Sequence, residues 1–338
     1  MTSRRRFLVA TLLVVPLLLL GISPAALTQS ADDLVVPRTQ LRGAIVAQER
    51  HTDALLRDTD VVGTAVGVDA GGQGVVKVYV RRAAVRGVPA ALDGVRVVVE
   101  VTGDLVAFAR PPSVDRTARF ARPVPIGVST GHPNITAGTI GCRVTDGTNV
   151  YTLSNNHVYA DENRALLGDT VLQPGPFDGG MNPEDAIGTL HDFQTIVFSP
   201  FASNEIDAAI ALASTATLGN ATPADGYGMP RSQTLPPIVG LRVMKYGRTT
   251  GLTKGRIDAI NAIVNIGYDS GVARFVNQII IRPGLFSAGG DSGSLIVAQS
   301  GTDARKPVGL LFAGSSVITI ANPISPVLGR FGVTIDGQ

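Results

Sequence analysis

The sequence predicts a mainly β chain, built as one β-barrel or a pair of barrels and preceded by a small α+β module. Three observations carry this. From about residue 126 to the C-terminus, short apolar runs alternate with Gly, Asn, Asp and Pro turns, the pattern of barrels and sandwiches. No fixed-period repeat interrupts it, which excludes a solenoid. Residues 38–112 instead open on a helical pattern and only then turn to β-rich runs. With 338 residues, 44% apolar and 17% charged, the chain has enough apolar side chains for packed cores and too few charges for disorder.

The first 30 residues read as an export signal. "TSRRRF" is a basic start, and Phe7 to Ile22 is an apolar run broken by Pro16. That run is shorter than the ~20 residues of a membrane span. Small residues follow in "SPAALTQSA", as before a signal peptidase site. An uncleaved anchor is the competing reading. "SRRRFL" is similar to the twin-arginine export motif, and a general secretory signal is the alternative. Either leader implies a secreted or periplasmic bacterial protein with no stable membrane insertion once the signal is removed. Cys142 is the single cysteine, so no intrachain disulfide forms.

Arg38 to Asp58 places Leu41, Ala44, Ile45, Ala54, Leu55 and Leu56 near helical spacing and predicts one amphipathic helix. "VVGTAVGV" and "VVKVYV" flank the turn "DAGGQG" and predict a hairpin. "AAVRGVPAALDG" reads as a short helix or helical turn, and "VRVVVEVTG" as another strand. This 38–112 module is expected to be either a pro-region or a docking domain. Ala109 to Pro125, rich in Pro and Arg, reads as a linker, with residues 113–125 leading into the β region of 126–338. There, "AGTIGCRVT", "NVYTLSNNHV", "DAAIALA", "RVMKYGR", "KGRIDAI", "FVNQIIIRP", "SLIVAQ" and "PVGLLFAG" are the expected strands.

The chemistry concentrates in "FSAGGDSGSLIV", Phe286 to Val297. One hydroxyl, Ser292, sits between glycines, directly after a carboxylate and before an apolar strand. An activated serine needs a base, a carboxylate to orient that base, and N–H donors facing the developing oxyanion. Glycine permits the backbone conformations that turn N–H groups inward, and the N–H groups of Gly290 and Ser292 are the expected donors. Four histidines exist, His51, His132, His157 and His191. His157, at the end of the run "VYTLSNNHV", is the best-placed base, because a strand end fixes a side chain better than a loop. A hydrogen-bonded structural histidine is the bland alternative. Asp207, beside Ile206 and an Ala/Ile run, is the expected buried carboxylate and needs a partner. Asp185 in "PEDAIGTL" is the second candidate.

Together these residues resemble the chymotrypsin-like serine proteases. "SNNHV", "EIDAAIA" and "GGDSGS" stand in the family's order His157, Asp207, Ser292, over about residues 121–338. "MKYGRTTGLTKGRI" resembles the "GRTTG" segment of secreted bacterial members, and "LSNNHV" with "GRTTG" resembles the plant narrow-leaf protease group. The resemblance implies a double six-stranded antiparallel β-barrel with the site between the barrels. It implies a serine endopeptidase without cofactor or metal, acting on protein or peptide substrates. It also implies that Arg248 pairs with Asp291 to hold the oxyanion loop. By offset from Ser292, Phe286, Ala313 and Gly314 would line the side-chain pocket, which contains no acid and so favours an uncharged residue. Ser294 departs from the family's "GDSGG", and Val158 stands where the family has a cysteine. A catalytically latent protease-fold binding protein and a self-processing precursor remain the alternatives. The net charge of +2 gives no reason to expect a nucleic-acid partner. Gln173 to Asp185 is long and Gly/Pro-rich, and is expected to be a lid.

Overall fold

The computed structural model describes residues 36–83, 85, 87–105 and 115–338. The expected export signal of residues 1–30 lies outside the described residues, as do parts of the expected linker. No described helix is long and apolar enough to cross a membrane.

Helix α1 (Arg42–Leu55) follows a 3-10 turn at Arg38–Leu41 and buries Ala44, Ile45, Ala47 and Leu55 on one face, while Ala54, expected on that face, is exposed. Strands β1 (Val61–Val68) and β2 (Gly74–Val80) form the expected hairpin. The short helix expected in "AAVRGVPAALDG" is not found among the described residues of that stretch. It holds only β3 (Ala91–Leu92), because Pro89, Gly87 and Gly94 break a helical run. Strand β4 (Val95–Val101) lies parallel to β2.

The first barrel comprises β5 (Ser129–Thr130), β6 (Gly138–Thr139), β7 (Cys142–Thr145) and β8 (Val150–Ser154). The one-turn helix α2 (Asn156–Tyr159), β9 (Thr170–Leu172), β10 (Ala186–Phe193) and β11 (Ala209–Ala213) complete it. The ladder runs β7-β8-β11-β10-β9. It closes because Gly131, directly after β5, bridges to Leu172 in β9, while β5 pairs with β6, which leads into β7. Six strand positions thus encircle a core of Ile140, Val144, Leu153, Tyr159 and Ile210.

The second barrel comprises β12 (Arg242–Gly247), β13 (Gly251–Tyr268), β14 (Gly271–Arg282), β15 (Leu295–Ala298), β16 (Pro307–Gly314) and β17 (Thr319–Pro323). Its ladder is β12-β15-β16-β17-β14-β13, and a further β12–β13 pairing closes the ring. Helix α3 (Ile324–Phe331) and β18 (Thr334–Ile335) then return the chain to pair with β7 of the first barrel. The fold is therefore the expected double six-stranded barrel. The core cluster of the first barrel continues into Tyr246, Leu295, Val297 and Leu310 of the second, so the two barrels share a packed seam.

The N-terminal module shares its sheet with the second barrel. Strand β1 pairs antiparallel with β13, so β1, β2, β4 and β3 extend that barrel's sheet. Leu41, Ala44 and Ile45 join Ile257, Ile281, Phe286 and Leu311 in one apolar cluster. Asn261, in left-handed backbone, donates to Gln48 Oε1 of α1 at 3.0 Å. Residues 115–125 also lie against the barrels. The Phe120 N–H donates to Gln173 Oε1 (3.1 Å), Gln173 Nε2 donates to the Ala118 carbonyl (2.9 Å), and Val124 bridges to Leu218.

Candidate active site

Strand β8 ends at Ser154, and His157 is the second residue of the one-turn helix α2 rather than part of the strand itself. Two asparagines explain the break. Asn155 Nδ2 donates to the Asp207 carbonyl at 2.7 Å. Asn156, fully buried, donates through Nδ2 to the Gln194 carbonyl (2.7 Å) and Asn163 Oδ1 (2.8 Å). These side-chain bonds compete with a strand ladder for local backbone geometry and wire the turn to two neighbouring loops.

His157 Nδ1 lies 2.6 Å from Asp207 Oδ2, and the His157 backbone N–H donates to Asp207 Oδ1 at 3.3 Å. Asp207 lies two residues before β11 and is fully buried. Its N–H donates to Asn322 Oδ1 at 3.1 Å, so β17 of the second barrel fixes the aspartate of the first. A third donor to the carboxylate is the Tyr268 hydroxyl, 2.9 Å from Oδ2. The Tyr268 ring stands edge-on to His157, with centroids 5.9 Å apart, and contacts Phe198 at 5.7 Å. Burial, and then the charge of Asp207, holds the Tyr268 phenol well above its ordinary pKa, so it remains a donor. Sequence reading missed Tyr268. It ends the long strand β13, and nothing in "NIGYDS" marks it.

The hairpin tip carrying Tyr268 is fastened down by Glu162, which accepts the N–H groups of Asp269 (3.2 Å) and Ser270 (2.8 Å). His157 is 10% exposed in its side chain, and its Nε2 is buried without a hydrogen-bond partner among the described residues. A ring held by Nδ1 with Nε2 unengaged is oriented to accept a proton at that atom.

Ser292 lies in the loop before β15 and is 1% exposed; its Oγ donates to the Phe312 carbonyl at 3.4 Å. The loop is set by Gly290 (φ +90°) and Gly293 (φ +95°), where only glycine is unstrained. At Gly293 a Cβ would also lie 2.3 Å from the Thr139 carbonyl oxygen. The carbonyls of Gly290 and Ser292 point away, accepting from Thr139 Oγ1 and the Thr139 N–H, each at 2.8 Å. No hydrogen bond within the described residues engages the N–H of Gly290 or Ser292.

Asp291 anchors this loop, and here the expected pairing with Arg248 is corrected. Asp291 Oδ1 accepts the N–H groups of Thr249 (2.9 Å) and Thr250 (3.1 Å). Its Oδ2 accepts Thr250 Oγ1 (2.6 Å) and the Ala288 N–H (3.0 Å), with Lys245 Nζ at 3.3 Å. Lys245 and Asp291 are both fully buried, and burial lowers the lysine pKa against the opposing pull of Asp291. Arg248 turns away to Asp178, which Nε meets at 2.6 Å and Nη2 also contacts, with Phe177 beneath the guanidinium. The physical reason is proximity. Gly247 lets the β12–β13 turn close onto Asp291, since a Cβ there would lie 2.6 Å from Asp291 Oδ1. The two threonines and Lys245 then fill the carboxylate's acceptor positions.

That contact also changes the expected lid. Gln173 to Asp185 is pinned by Arg248 on Asp178 and by Arg119, whose Nε and Nη2 bind Asp185 at 2.5 and 2.6 Å. Asp185, the second carboxylate candidate, is therefore committed to Arg119, which holds its pKa below the ordinary range. The other histidines lie apart from the site with their own contacts: His51 on Asp93 (3.0 Å), His132 on Asp169 (3.1 Å) and His191 against the Tyr151 ring (5.0 Å). Phe286, expected to line a substrate pocket, turns its ring into the second barrel against Ile257, Ile281 and Val308. Ala313 and Gly314 are also buried. The 3-10 turn Gly284–Phe286 aims the Phe286 ring at the apolar core. No described group of three or more His, Cys, Asp or Glu side chains is arranged to hold a metal.

Residues 191–320 match the family of the Nal1 C-terminal domain. No curated protein matches the chain. Among solved structures, the chain is similar to a glutamic acid specific serine protease, with 22% identity and a TM-score of 0.44 over 63% of this chain and 100% of that one. It is similar to Thermobifida fusca Protease A, with 18% identity and a TM-score of 0.44 over 64% of this chain and all of the other. It is also similar to a Nocardiopsis protease, with 17% identity and a TM-score of 0.44 over 63% and 99%.

Proposed function

We propose that the protein is an exported serine endopeptidase that works through an acyl-enzyme. The observation that carries this is the His157–Asp207 pair at 2.6 Å with Nε2 left unengaged, set against a GDSG loop in which the N–H groups of Gly290 and Ser292 have no partner among the described residues. His157 Nε2 takes the Ser292 proton as Oγ attacks the substrate carbonyl. The weak 3.4 Å bond to the Phe312 carbonyl is given up in that step. The N–H groups of Gly290 and Ser292 stabilise the oxyanion. His157 then protonates the leaving amine, the C–N bond breaks, and water deprotonated by His157 releases the acyl group. Asp207 holds the imidazole tautomer and stabilises the imidazolium. Catalytic hydrogen bonds are often long before substrate binds, which fits the resting position of Ser292.

The test is labelling of the signal-free protein with a fluorophosphonate probe, followed by peptide turnover. Labelling and turnover that vanish in Ser292→Ala and His157→Ala support the assignment. Labelling that persists in Ser292→Ala removes it. One observation favours a second reading, a latent protease-fold protein or a precursor that processes only itself: Ser292 is 1% exposed. A folded protein that resists the probe until it is nicked near residues 106–114 would support the precursor. The N-terminal module is proposed to stay with the barrels, because it shares strand and core with them.

A further inference from the structure

The segment after α2 holds three consecutive non-glycine residues in left-handed backbone: Asp161 (φ +47°), Glu162 (φ +54°) and Asn163 (φ +75°). That conformation costs energy for any residue with a Cβ, and such strain persists only where the surroundings enforce it. Asp and Asn tolerate it best, because their short polar side chains find partners nearby. Asp161 accepts from Arg164 Nη2 at 2.8 Å. Asn163 Oδ1 accepts Asn156 Nδ2 (2.8 Å) and the Ile196 N–H (2.9 Å), and its Nδ2 donates to the Ile196 carbonyl (2.8 Å). Glutamate has no such local preference, so Glu162 in this turn needs another reason.

Its reach supplies one. Glu162 belongs to the first barrel, and its side chain, 11% exposed, crosses to the two-residue turn Asp269–Ser270 that joins β13 to β14 of the second. Oε1 accepts the Asp269 N–H (3.2 Å) and Oε2 the Ser270 N–H (2.8 Å), one carboxylate oxygen for each of two successive amides. Arg164 closes the same contact, with Nη1 at 3.2 Å from Ser270 Oγ and 3.9 Å from Glu162 Oε2. Tyr268 directly precedes this turn, and its hydroxyl meets Asp207. One tripeptide therefore grips the site from two sides. Asn163 holds the asparagine before His157, and Glu162 holds the two residues after Tyr268.

We propose that Glu162 is a positioning residue: by capturing both turn amides it sets the Tyr268 hydroxyl on Asp207 and so steadies the His157 imidazole, a role that rests on the peptidase reading. A hydrogen bond weakens steeply with length and angle, so a tip released by about 1 Å gives up the contact to Asp207. Geometry lost at such a distance from the reacting atoms slows the chemical step without weakening substrate binding. The remainder of the hairpin is held independently of Glu162. Val264 of β13 pairs with Gly63 of β1, the Gly267 N–H donates to the Leu105 carbonyl (3.2 Å), and Arg274 of β14 contacts Asp53 of α1. Loss of Glu162 is thus expected to free the tip and leave the barrels folded.

The test compares kcat and KM of the signal-free protein with Glu162→Ala, Glu162→Gln, Tyr268→Phe and the Glu162→Ala/Tyr268→Phe double variant on one peptide. Thermal melts and the NMR signal of the His157 Nδ1 proton are read beside them. Glu162→Ala is expected to lower kcat about three- to tenfold, the range set by losing the Tyr268 bond, with little change in KM. Glu162→Gln keeps one carbonyl acceptor and is expected to lose less. Because Glu162 acts through Tyr268, its removal in the Tyr268→Phe background should change kcat by less than about twofold. The Nδ1 signal should move in Glu162→Ala in the direction it moves in Tyr268→Phe, with no further move in the double variant. Losses in kcat that multiply, an effect on KM alone, or an unmoved Nδ1 signal in folded Glu162→Ala would each overturn the proposal and make Glu162 a structural tie. Should Glu162→Ala fail to melt cooperatively, Glu162→Gln and its double variant with Tyr268→Phe carry the same comparison. The Nδ1 signal needs no turnover. Its expected pattern in a protein that cleaves nothing sinks the peptidase reading alone, and turnover indifferent to Glu162 sinks the positioning role alone.

Discussion

Removing one oxygen from Tyr268 tests how the histidine is held. Asp207 accepts three donors: His157 Nδ1 at 2.6 Å, the His157 N–H at 3.3 Å and the Tyr268 hydroxyl at 2.9 Å. Tyr268→Phe keeps the ring against His157 and removes only the third. A hydrogen bond to a charged group contributes about 1.5–3 kcal/mol. With about half of that felt where Asp207 orients the imidazole, roughly 0.7–1.4 kcal/mol, kcat should fall about three- to tenfold, with little change in KM. Stability should fall by about 1–2 kcal/mol, a few degrees in Tm. The assay is kcat and KM of both proteins on one peptide, beside thermal melts, which need no turnover. An unchanged kcat and an unchanged Tm would refute the reasoning and leave Tyr268 as packing.

Lys245→Met should leave Asp291 buried without its cation, cost about 3 kcal/mol and abolish fluorophosphonate labelling; denaturant melts and the probe gel check both. Arg248→Met should instead loosen the Asp178 segment, seen as faster proteolysis near residues 173–185, while labelling of Ser292 persists. Because Arg119 depresses the Asp185 pKa, that pair stabilises the fold above the ordinary carboxylate pKa of about 4 and loses this as pH falls through the lowered value. Arg119→Ala should therefore be destabilised at pH 7 and differ less from wild type at pH 2–3, read by thermal melts. Deleting residues 1–114 removes α1 and β1 from a shared core, where each buried Leu, Ile or Val is worth about 1.5–3 kcal/mol. The truncated chain should not melt cooperatively; a cooperative melt with intact labelling would make the module a removable pro-region.

Local pattern in the sequence determined much of this protein. The β-rich runs, the hairpin of β1 and β2, α1, and the residues His157, Asp207 and Ser292 were legible because alternation, helical spacing and glycine placement are local signals. The double barrel was legible through the resemblance. The strands β5, β9, β10, β17 and β18 and the helix α3 were not: β5, β9 and β18 hold two or three residues and carry no period, while Gly188 and His191 break the apolar alternation of β10 and Pro323 ends β17. Tertiary structure alone decided which cation serves which carboxylate. Lys245, Arg248 and Asp291 are separated in sequence by distances that say nothing of reach, and the close approach at Gly247 is what diverts Arg248 to Asp178. The same holds for Tyr268, delivered to Asp207 by the length of β13, and for Phe286, whose ring a single 3-10 turn sends into the core. It holds also for the N-terminal module, which pattern set apart as its own unit and strand pairing joined to the barrel. Hydrogen bonds and burial act through space, and a sequence records only the order in which the partners are strung.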